Sequence, residues 1–143
     1  MRCVDVNVLV YAHREESPSH RDYLAWLNEA RVGPEPLGVA DLVLSGFLRV
    51  VTHPRVFREP TPLSAAVTFV SALRTSPAVV PLAPGVRHWS LFVDLCRRGR
   101  ATGNLVPDAF LAALAVEHGA TLCTADRGFG RFPHLRWEDP LER

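Results

Sequence analysis

Residues 4–12 have the sequence Val4-Asp5-Val6-Asn7-Val8-Leu9-Val10-Tyr11-Ala12, an apolar run interrupted by one carboxylate and one amide. We predict a short buried strand over residues 2–6, continuing through Asn7 into an apolar turn of helix, because valine-rich segments favour strands. Asp5 is unusual inside such a strand, since a buried carboxylate loses its hydration unless it is paired or binds a cation. The segment therefore predicts one strand of a sheet and one carboxylate that could carry chemistry.

Strand-like and helix-like segments alternate along the rest of the chain, separated by prolines and glycines. The apolar spacing predicts further strands over residues 37–39, 79–82, 120–124 and 135–137. It predicts helices over residues 19–30, 41–52, 61–74, 84–98 and 107–119, the last of which ends at Gly119. This alternation indicates an α/β protein with a mostly parallel sheet covered on both faces. We predict a single domain spanning residues 1–143.

The composition excludes several enzyme classes. Apolar residues make up 48% of the chain and charged residues 22%, and the formal net charge is +1. All 16 basic residues are arginines. Without lysine, the chain cannot form a phosphate-binding P-loop, a Schiff base or a protein-kinase active site. A bias towards GC-rich codons explains most of the arginine excess, and a use of arginine for phosphate contacts would be an addition to it.

The cysteines and the start of the chain predict a cytoplasmic protein. Cys3, Cys96 and Cys123 are odd in number and have no CxxC spacing, which fits a reducing compartment. Asp5 lies where a signal peptide would need its apolar stretch. No apolar run approaches the roughly 18–20 residues that span a bilayer, so we expect no contact with a membrane.

Two more aspartates lie where the predicted fold would place them beside Asp5. Asp126 follows the strand that contains Leu122 and Cys123, and Asp108 lies in the first turn of the helix opened by Pro107. Ligands of open α/β sheets bind outside the carboxyl ends of the strands, so the three carboxylates could converge there on Mg²⁺ or Mn²⁺. The alternative to a shared metal site is that each residue has only a local role. Asp108 would then begin a helix, and Asp126 would cap a turn.

Four segments in chain order form a larger pattern: residues 4–12, Leu48-Arg49-Val50-Val51-Thr52-His53-Pro54-Arg55-Val56-Phe57, Asn104-Leu105-Val106-Pro107-Asp108-Ala109 and Thr121-Leu122-Cys123-Thr124-Ala125-Asp126-Arg127-Gly128-Phe129. The pattern resembles PIN-domain ribonucleases and, more narrowly, the VapC toxins of bacterial toxin–antitoxin pairs. A short Asp-x-Asn motif is weak alone, but four ordered motifs in a chain of matching length are specific, and the resemblance covers essentially the whole chain.

The resemblance implies a three-layer α/β/α fold and a Mg²⁺-dependent endoribonuclease that acts on structured RNA, such as transfer or ribosomal RNA. It implies that Asp5, Asp108 and Asp126 are catalytic and hold the metal, which could also be Mn²⁺. It further implies that Asn7 and Thr124 position a water or a carboxylate. A VapB-type antitoxin would bind and block the site, and the toxin would form a homodimer.

One position departs from the family. VapC-like chains usually carry a glutamate on the helix before Phe47, where this chain has Gly46. Asp41 lies five residues earlier, near the start of that helix, and could reach the metal as a substitute. The alternative for Asp41 is a helix N-cap. The second acid of the family site is therefore an open question at this stage.

Arginines cluster shortly before the Asp108 motif. Residues 87–100 contain four arginines and one aspartate, a local charge of +3. We predict that Arg97, Arg98 and Arg100 contact the RNA backbone beside the metal site, and the alternative is a solvated loop.

Two other functions remain as alternatives. The loss of glutamate at Gly46 would fit a catalytically weak homologue that inhibits by binding RNA without cutting it. A receiver domain or a haloacid-dehalogenase-type phosphatase would also place aspartates and Mg²⁺ at a parallel sheet. Both need a lysine, which the chain lacks, and the phosphatase needs a second aspartate where Asn7 stands.

Overall fold

The computed structural model describes residues 1–142, and Arg143, the last residue of the predicted domain, lies outside the described residues. Within residues 1–142 there are five strands: β1 (Arg2–Val4), β2 (Leu37–Ala40), β3 (Val79–Leu82), β4 (Thr121–Cys123) and β5 (Trp137–Glu138). The same range forms six α-helices and one 3-10 helix (Arg127–Arg131); the α-helices are α1 (Val6–His13), α2 (His20–Ala30), α3 (Asp41–Val51), α4 (Leu63–Arg74), α5 (His88–Arg98) and α6 (Leu105–Glu117).

The five strands form one sheet in the order β3-β2-β1-β4-β5, and every pair is parallel. Strand β1 is central, with Cys3 beside Gly38 of β2 and beside Leu122 of β4. The chain moves from β1 to β2 and β3 in one direction, and then returns to the other side of β1 for β4 and β5. The crevice between β1 and β4 is therefore the point where ligands of open α/β sheets bind.

The helices cover both faces of the sheet. Helices α1 to α4 contact one another along the first half of the chain, and α5 packs against α6. Since parallel crossovers are right-handed, the reversal of direction after β3 places α5 and α6 on the face opposite the first four helices. The predicted three-layer α/β/α fold with a parallel sheet is confirmed.

Helices α1 and α6 place polar residues at the edge of the sheet, and both are anchored in the core. Helix α1 buries Val8, Leu9, Val10 and Ala12 directly after β1. Helix α6 is alanine-rich and buries Ala109, Leu111 and all residues from Ala112 to Ala115. Because alanine side chains are small, α6 can pack close to its neighbours.

The first strand is shorter than the sequence predicts. It ends at Val4, and Asp5 caps α1 with extended backbone angles (φ −90°, ψ 162°), so the predicted strand over residues 2–6 is wrong at its end. The physical reason is that an aspartate side chain bonds the next backbone N–H groups and so begins a helix. Asp5 therefore stands at the carboxyl end of the central strand rather than inside it.

Other boundaries differ by a few residues. Helix α5 begins at His88, later than the Pro84-Gly85 start that we predicted, whereas α6 begins at Leu105, two residues before Pro107. Proline is tolerated in a first turn because the N–H groups there have no partner within the helix. Gly119 follows α6 with a positive φ of 64°, as predicted for the residue that ends this helix. No helix within residues 1–142 is long and apolar enough to cross a membrane.

Candidate active site

A cleft of about 710 Å³ opens at the carboxyl ends of β1 and β4. The three predicted carboxylates Asp5, Asp108 and Asp126 all line it, each from a different part of the chain. Asp5 follows β1, Asp126 follows β4, and Asp108 lies in the first turn of α6. The remaining walls come from α1, from α3 and from the loop after α3. The topology thus brings together three acids that lie up to 121 positions apart in the sequence.

Asp5 is buried and both of its carboxylate oxygens accept hydrogen bonds. Oδ1 accepts from the Val6 backbone N–H at 2.7 Å, and Oδ2 accepts from the Thr124 hydroxyl at 2.7 Å. Burial raises the pKa of Asp5 above its ordinary value; the two hydrogen bonds act against this rise, and the nearby charge of Asp126 adds to it. The carboxylate is therefore held in one orientation before any ligand arrives.

Thr124 and Asn7 connect the ends of the two central strands. The Asn7 side-chain amide donates to the Thr124 hydroxyl oxygen at 3.2 Å, and its oxygen accepts from the Ala125 backbone N–H at 3.3 Å. The Asp126 backbone N–H donates to the same Thr124 oxygen at 3.0 Å. Through these bonds the network fixes the position of Asp5 relative to the start of the Asp126 segment.

Asp126 caps the 3-10 helix Arg127–Arg131 and is the most exposed of the three acids. Its Oδ1 accepts a hydrogen bond from the Gly128 backbone N–H at 2.8 Å. A Cβ at Gly128 would stand 2.9 Å from that oxygen, so a glycine keeps this tight turn free of a clash. The local capping role that the sequence suggests is present, and the same side chain also faces the cleft.

Asp108 is half-buried, and its pKa is raised from 3.8 to about 6. Burial is the largest cause, the charges of Asp5 and Asp126 add to it, and Arg131 opposes it. The negative charges of Asp5 and Asp126 thus both disfavour ionisation of Asp108 in the same cleft. A bound cation would remove this repulsion.

The carboxylate oxygens in the cleft are the type of ligand that binds a hard divalent cation. Among residues 1–142, no group of three or more His, Cys, Asp or Glu side chains is placed to hold a metal ion together. Mg²⁺ in proteins usually keeps several waters and is held by only one or two carboxylates, so a group of three is not required. Carboxylate oxygens are also the preferred ligands of Mn²⁺. One or two of the carboxylates of Asp5, Asp108 and Asp126 therefore suit a divalent cation that keeps much of its water.

At Gly46, where the family carries a glutamate, the space that a side chain would need is occupied by Val6. Gly46 lines the cleft on α3, and a Cβ there would stand 2.8 Å from Cγ2 of Val6. Asp41 lies at the first residue of α3, with its side chain 78% exposed and 3.5 Å from Arg74 of α4. It does not line the cleft. Asp41 therefore does not take the place of the glutamate in the cleft. It is not the N-cap of α3 either, because Ala40 holds that position without a side-chain hydrogen bond.

The three arginines that we predict to contact RNA lie outside the cleft. Arg97, Arg98 and Arg100 are exposed at the end of α5 and in the loop that follows, and none of them lines the cleft. Arg98 pairs with Asp94 through Nε and Oδ1 at 3.1 Å. The loop continues to Asn104, which does line the cleft, so the three arginines flank the site at a distance.

Two arginines closer to the acids were missed by the sequence analysis. Arg49 lines the cleft from α3, and Arg131 lies close enough to Asp108 to lower its pKa. Arg49 could have been found, because it follows Gly46 by three residues and so shares its helix face. Nothing in the sequence points to Arg131, whose position depends on the path of the 3-10 helix.

The raised pKa of Asp108 predicts how the stability of the metal-free protein depends on pH. The folded protein holds the Asp108 proton up to about pH 6, so this group favours folding below pH 3.8 and the gain is lost as the pH rises through 6. We expect Asp108→Asn to be more stable than wild type by about 1 kcal/mol at pH 7.5 in EDTA, a value reduced for solvent screening.

Thermal unfolding at several pH values measures this difference, which should vanish near pH 4. Asp22→Asn, at an exposed aspartate of α2, is the matched control and should change little at either pH. Equal melting temperatures for Asp108→Asn and wild type at pH 7.5 would contradict the electrostatic account of the cleft.

The chain is similar to known proteins over nearly its whole length. A sequence profile described as the PIN domain matches residues 2–135. The chain is 52% identical over 142 residues to the VapC ribonuclease Mb2897 of Mycobacterium bovis, covering 99% of this chain and 97% of that protein. It is 41% identical over 136 residues to ribonuclease VapC25 of Mycobacterium tuberculosis, covering 95% and 96%.

Solved structures share the fold at low identity. VapBC-1 from nontypeable Haemophilus influenzae matches with a TM-score of 0.69 and 17% identity, covering 99% of this chain and 98% of that chain. VapC20 of Mycobacterium tuberculosis, described as a sarcin-ricin loop cleaving toxin, matches with a TM-score of 0.66 and 18% identity, covering 95% and 99%. At such identities, these likenesses concern the fold alone.

Proposed function

The chain belongs to the PIN-domain family and to its VapC ribonucleases, and from that premise we propose that it is a metal-dependent endoribonuclease, the toxin of a type II toxin–antitoxin pair. The observation that carries the proposal is the convergence of Asp5, Asp108 and Asp126 in one cleft. The substrate class is structured RNA such as transfer or ribosomal RNA, and the bond that is hydrolysed is a phosphodiester.

The three carboxylates would hold Mg²⁺ or Mn²⁺. When bound, such an ion lowers the pKa of a water molecule and neutralises charge that develops on the phosphodiester. The chain itself supplies orientation: the Thr124 hydroxyl and the Val6 backbone N–H fix Asp5, and Asn7 holds Thr124. Arg49 in the cleft supplies a positive charge for the phosphate, which would otherwise be repelled by the acids.

The proposal is tested by incubating the purified protein with total RNA. We expect discrete cleavage products with Mg²⁺, none with EDTA, and recovery of the same products when Mg²⁺ or Mn²⁺ is added back. Products that persist in EDTA would argue against metal dependence. Intact RNA under all conditions, together with RNA binding that survives EDTA, would favour the catalytically weak homologue. This second candidate is kept because the α3 residues that line the cleft, among them Gly46, include no acid.

We also propose that Arg97, Arg98 and Arg100 contact the RNA backbone outside the cleft. Replacing all three with alanine should weaken binding to RNAs of any sequence. Each phosphate contact to a single strand contributes about 0.7 to the slope of log affinity against log salt, so the slope should fall by about 2. Binding titrations over a range of salt concentrations measure this slope. An unchanged slope would show that the three arginines do not contact RNA and belong to a solvated loop.

The protein partners are proposals of the same kind. VapBC structures from several bacteria share this fold, which supports a VapB-type antitoxin that binds over the cleft and blocks it. The toxin would act in the cytoplasm as a homodimer. Co-expression with the product of a small neighbouring gene should relieve growth arrest if that gene encodes the antitoxin. Continued growth arrest with a stable, co-purifying candidate would reject that candidate.

A further inference from the structure

The loop that joins α3 to α4 forms one wall of the cleft. We call residues 52–61 the cleft loop. The Thr61 backbone N–H donates to the Val51 carbonyl at 2.8 Å, which closes the loop at its base. The backbone N–H groups of Val56 and Phe57 both donate to the His53 carbonyl at 3.1 Å. This tight turn presents Val56 and Phe57 to the same cleft that holds the acids.

Arg14, the residue after α1, holds the cleft loop in place. Its side chain is only 13% exposed. One terminal nitrogen donates to the Thr61 hydroxyl oxygen at 3.0 Å, and the other donates to the Glu59 carbonyl at 2.8 Å. The guanidinium carbon lies 4.2 Å from the ring centroid of Phe57, so the cation covers one face of that ring. Glu16 pairs with Arg14 and completes its hydrogen bonding.

This arrangement fixes an aromatic ring beside a site for phosphate chemistry. A phosphodiester at the carboxylates brings an attached base into the cleft, where Tyr11, Val56 and Phe57 form part of the lining. Val56 is 54% exposed, and Phe57 is partly buried against the core but still lines the cleft. Unpaired bases stack on aromatic side chains, and one such contact changes affinity by roughly tenfold or more.

We propose that Phe57 stacks against an unpaired nucleobase adjacent to the phosphodiester bound at Asp5, Asp108 and Asp126, and that Arg14 is a positioning residue that holds the ring for this contact. The proposal rests on the proposed ribonuclease function and extends it to the choice of nucleotide. The continuity of the wall with the acids and the presence of Arg49 in the cleft favour a nucleotide over a protein segment as the occupant.

The test measures binding separately from cleavage. All variants carry Asp108→Asn, and gels verify that the RNA stays intact. The probes are a short fluorescein-labelled RNA without self-complementarity, the same strand annealed to its complement, and the single strand with abasic nucleotides. Fluorescence anisotropy in Mg²⁺ gives the affinity for each probe. We expect Phe57→Leu to weaken binding of the single strand about tenfold and to leave duplex binding unchanged. Phe57→Tyr, which keeps the ring, should bind as the parent does.

The abasic probe keeps the test decisive if Phe57→Leu does not fold. The parent protein should bind the abasic strand about tenfold more weakly than the normal strand. In Phe57→Leu, removal of the bases should cause little further loss, because the stacking partner is already absent. Equal affinity of the parent for the normal and abasic strands would overturn the proposal. A folded Phe57→Leu variant that binds the single strand as tightly as the parent would also overturn the proposal. The cleft wall formed by the cleft loop would then be assigned to a protein partner.

Arg14→Lys separates positioning from general stability. Lysine keeps the charge but cannot donate to Glu59 and Thr61 with the fixed geometry of a guanidinium. We expect single-strand affinity to fall while duplex affinity is kept, and in the catalytically intact protein we expect KM to rise with little change in kcat. Arg58→Ala, at an exposed arginine of the same loop, is the matched control and should affect both probes equally.

An Arg14→Lys variant with a lower melting temperature but an unchanged ratio of single-strand to duplex affinity would remove Arg14 from the proposal. Failure of the proposed ribonuclease function would be recognised by a different result. In that case the protein with native Asp108 would cut no RNA in Mg²⁺, whatever the binding data for Phe57 show.

Discussion

Asp5→Asn is expected to lower the rate of RNA cleavage at least about 100-fold, because it removes the carboxylate that is most rigidly held in the cleft. Contributions of a catalytic metal to transition-state stabilisation are several kcal/mol, and each 1.36 kcal/mol corresponds to a factor of ten in rate. The asparagine oxygen can still accept the Val6 N–H bond, so α1 should keep its cap. Cleavage of total RNA under single-turnover conditions measures the loss.

The control for Asp5→Asn is Asp22→Asn, which removes one exposed carboxylate that does not line the cleft. It should cleave at the rate of wild type. The melting temperature of Asp5→Asn must also stay close to that of wild type, which separates a chemical effect from unfolding. Undiminished cleavage by Asp5→Asn would show that the site has been assigned to the wrong residues.

Thr124→Val has the second largest expected effect, although Thr124 is fully buried and need not touch RNA. The substitution keeps the shape of the side chain but removes the hydroxyl that donates to Asp5 and accepts from Asn7 and from the Asp126 backbone. An unsatisfied buried group costs about 1–3 kcal/mol, so both stability and the orientation of Asp5 should suffer. We expect a loss of cleavage of roughly 10- to 100-fold, which corresponds to about 1.4–2.7 kcal/mol of transition-state stabilisation lost through the misplaced Asp5.

The pH profile shows whether the loss in Thr124→Val comes from Asp5. The Thr124 hydroxyl lowers the pKa of Asp5, against the effect of burial. Without the hydroxyl this pKa rises further, so the ascending limb of the rate profile should move to higher pH. Thr124→Ser keeps the hydroxyl and should restore most of the rate. A uniform loss with no shift of the profile, or no rescue by serine, would limit Thr124 to a structural role.

The sheet and its acidic edge follow from patterns that the sequence displays directly. Apolar strands alternate with helices, and the aspartates stand at or beyond strand ends, where a parallel topology must bring them together. The end of β1 was misplaced because aspartate was treated as an interruption of a strand. In the structure the Asp5 side chain bonds the Val6 N–H and begins a helix. The Asp5 side chain competes with the neighbouring strand for backbone hydrogen bonds. This competition is local, so the sequence alone could have indicated it.

The apolar and basic walls of the cleft could not be predicted in the same way. The cleft loop has no periodic pattern, and its position depends on Arg14, which lies 45 and 47 residues before the two loop residues that accept its hydrogen bonds. The position of Asp41 near the start of its helix leaves open whether it reaches the metal or caps the helix. Its side chain instead lies near Arg74 of α4. Contacts between distant segments decide both outcomes.

The central claim is that the carboxylate cleft cuts RNA, and mapping of RNA 5′ ends in cells tests it most directly. Wild type and Asp5→Asn would be induced at equal protein levels, and new 5′ ends would be compared across all cellular RNA. The account predicts a small set of new ends within structured RNA for wild type and none of them for Asp5→Asn. The same new ends in both strains, or growth arrest by wild type without any new ends, would contradict it.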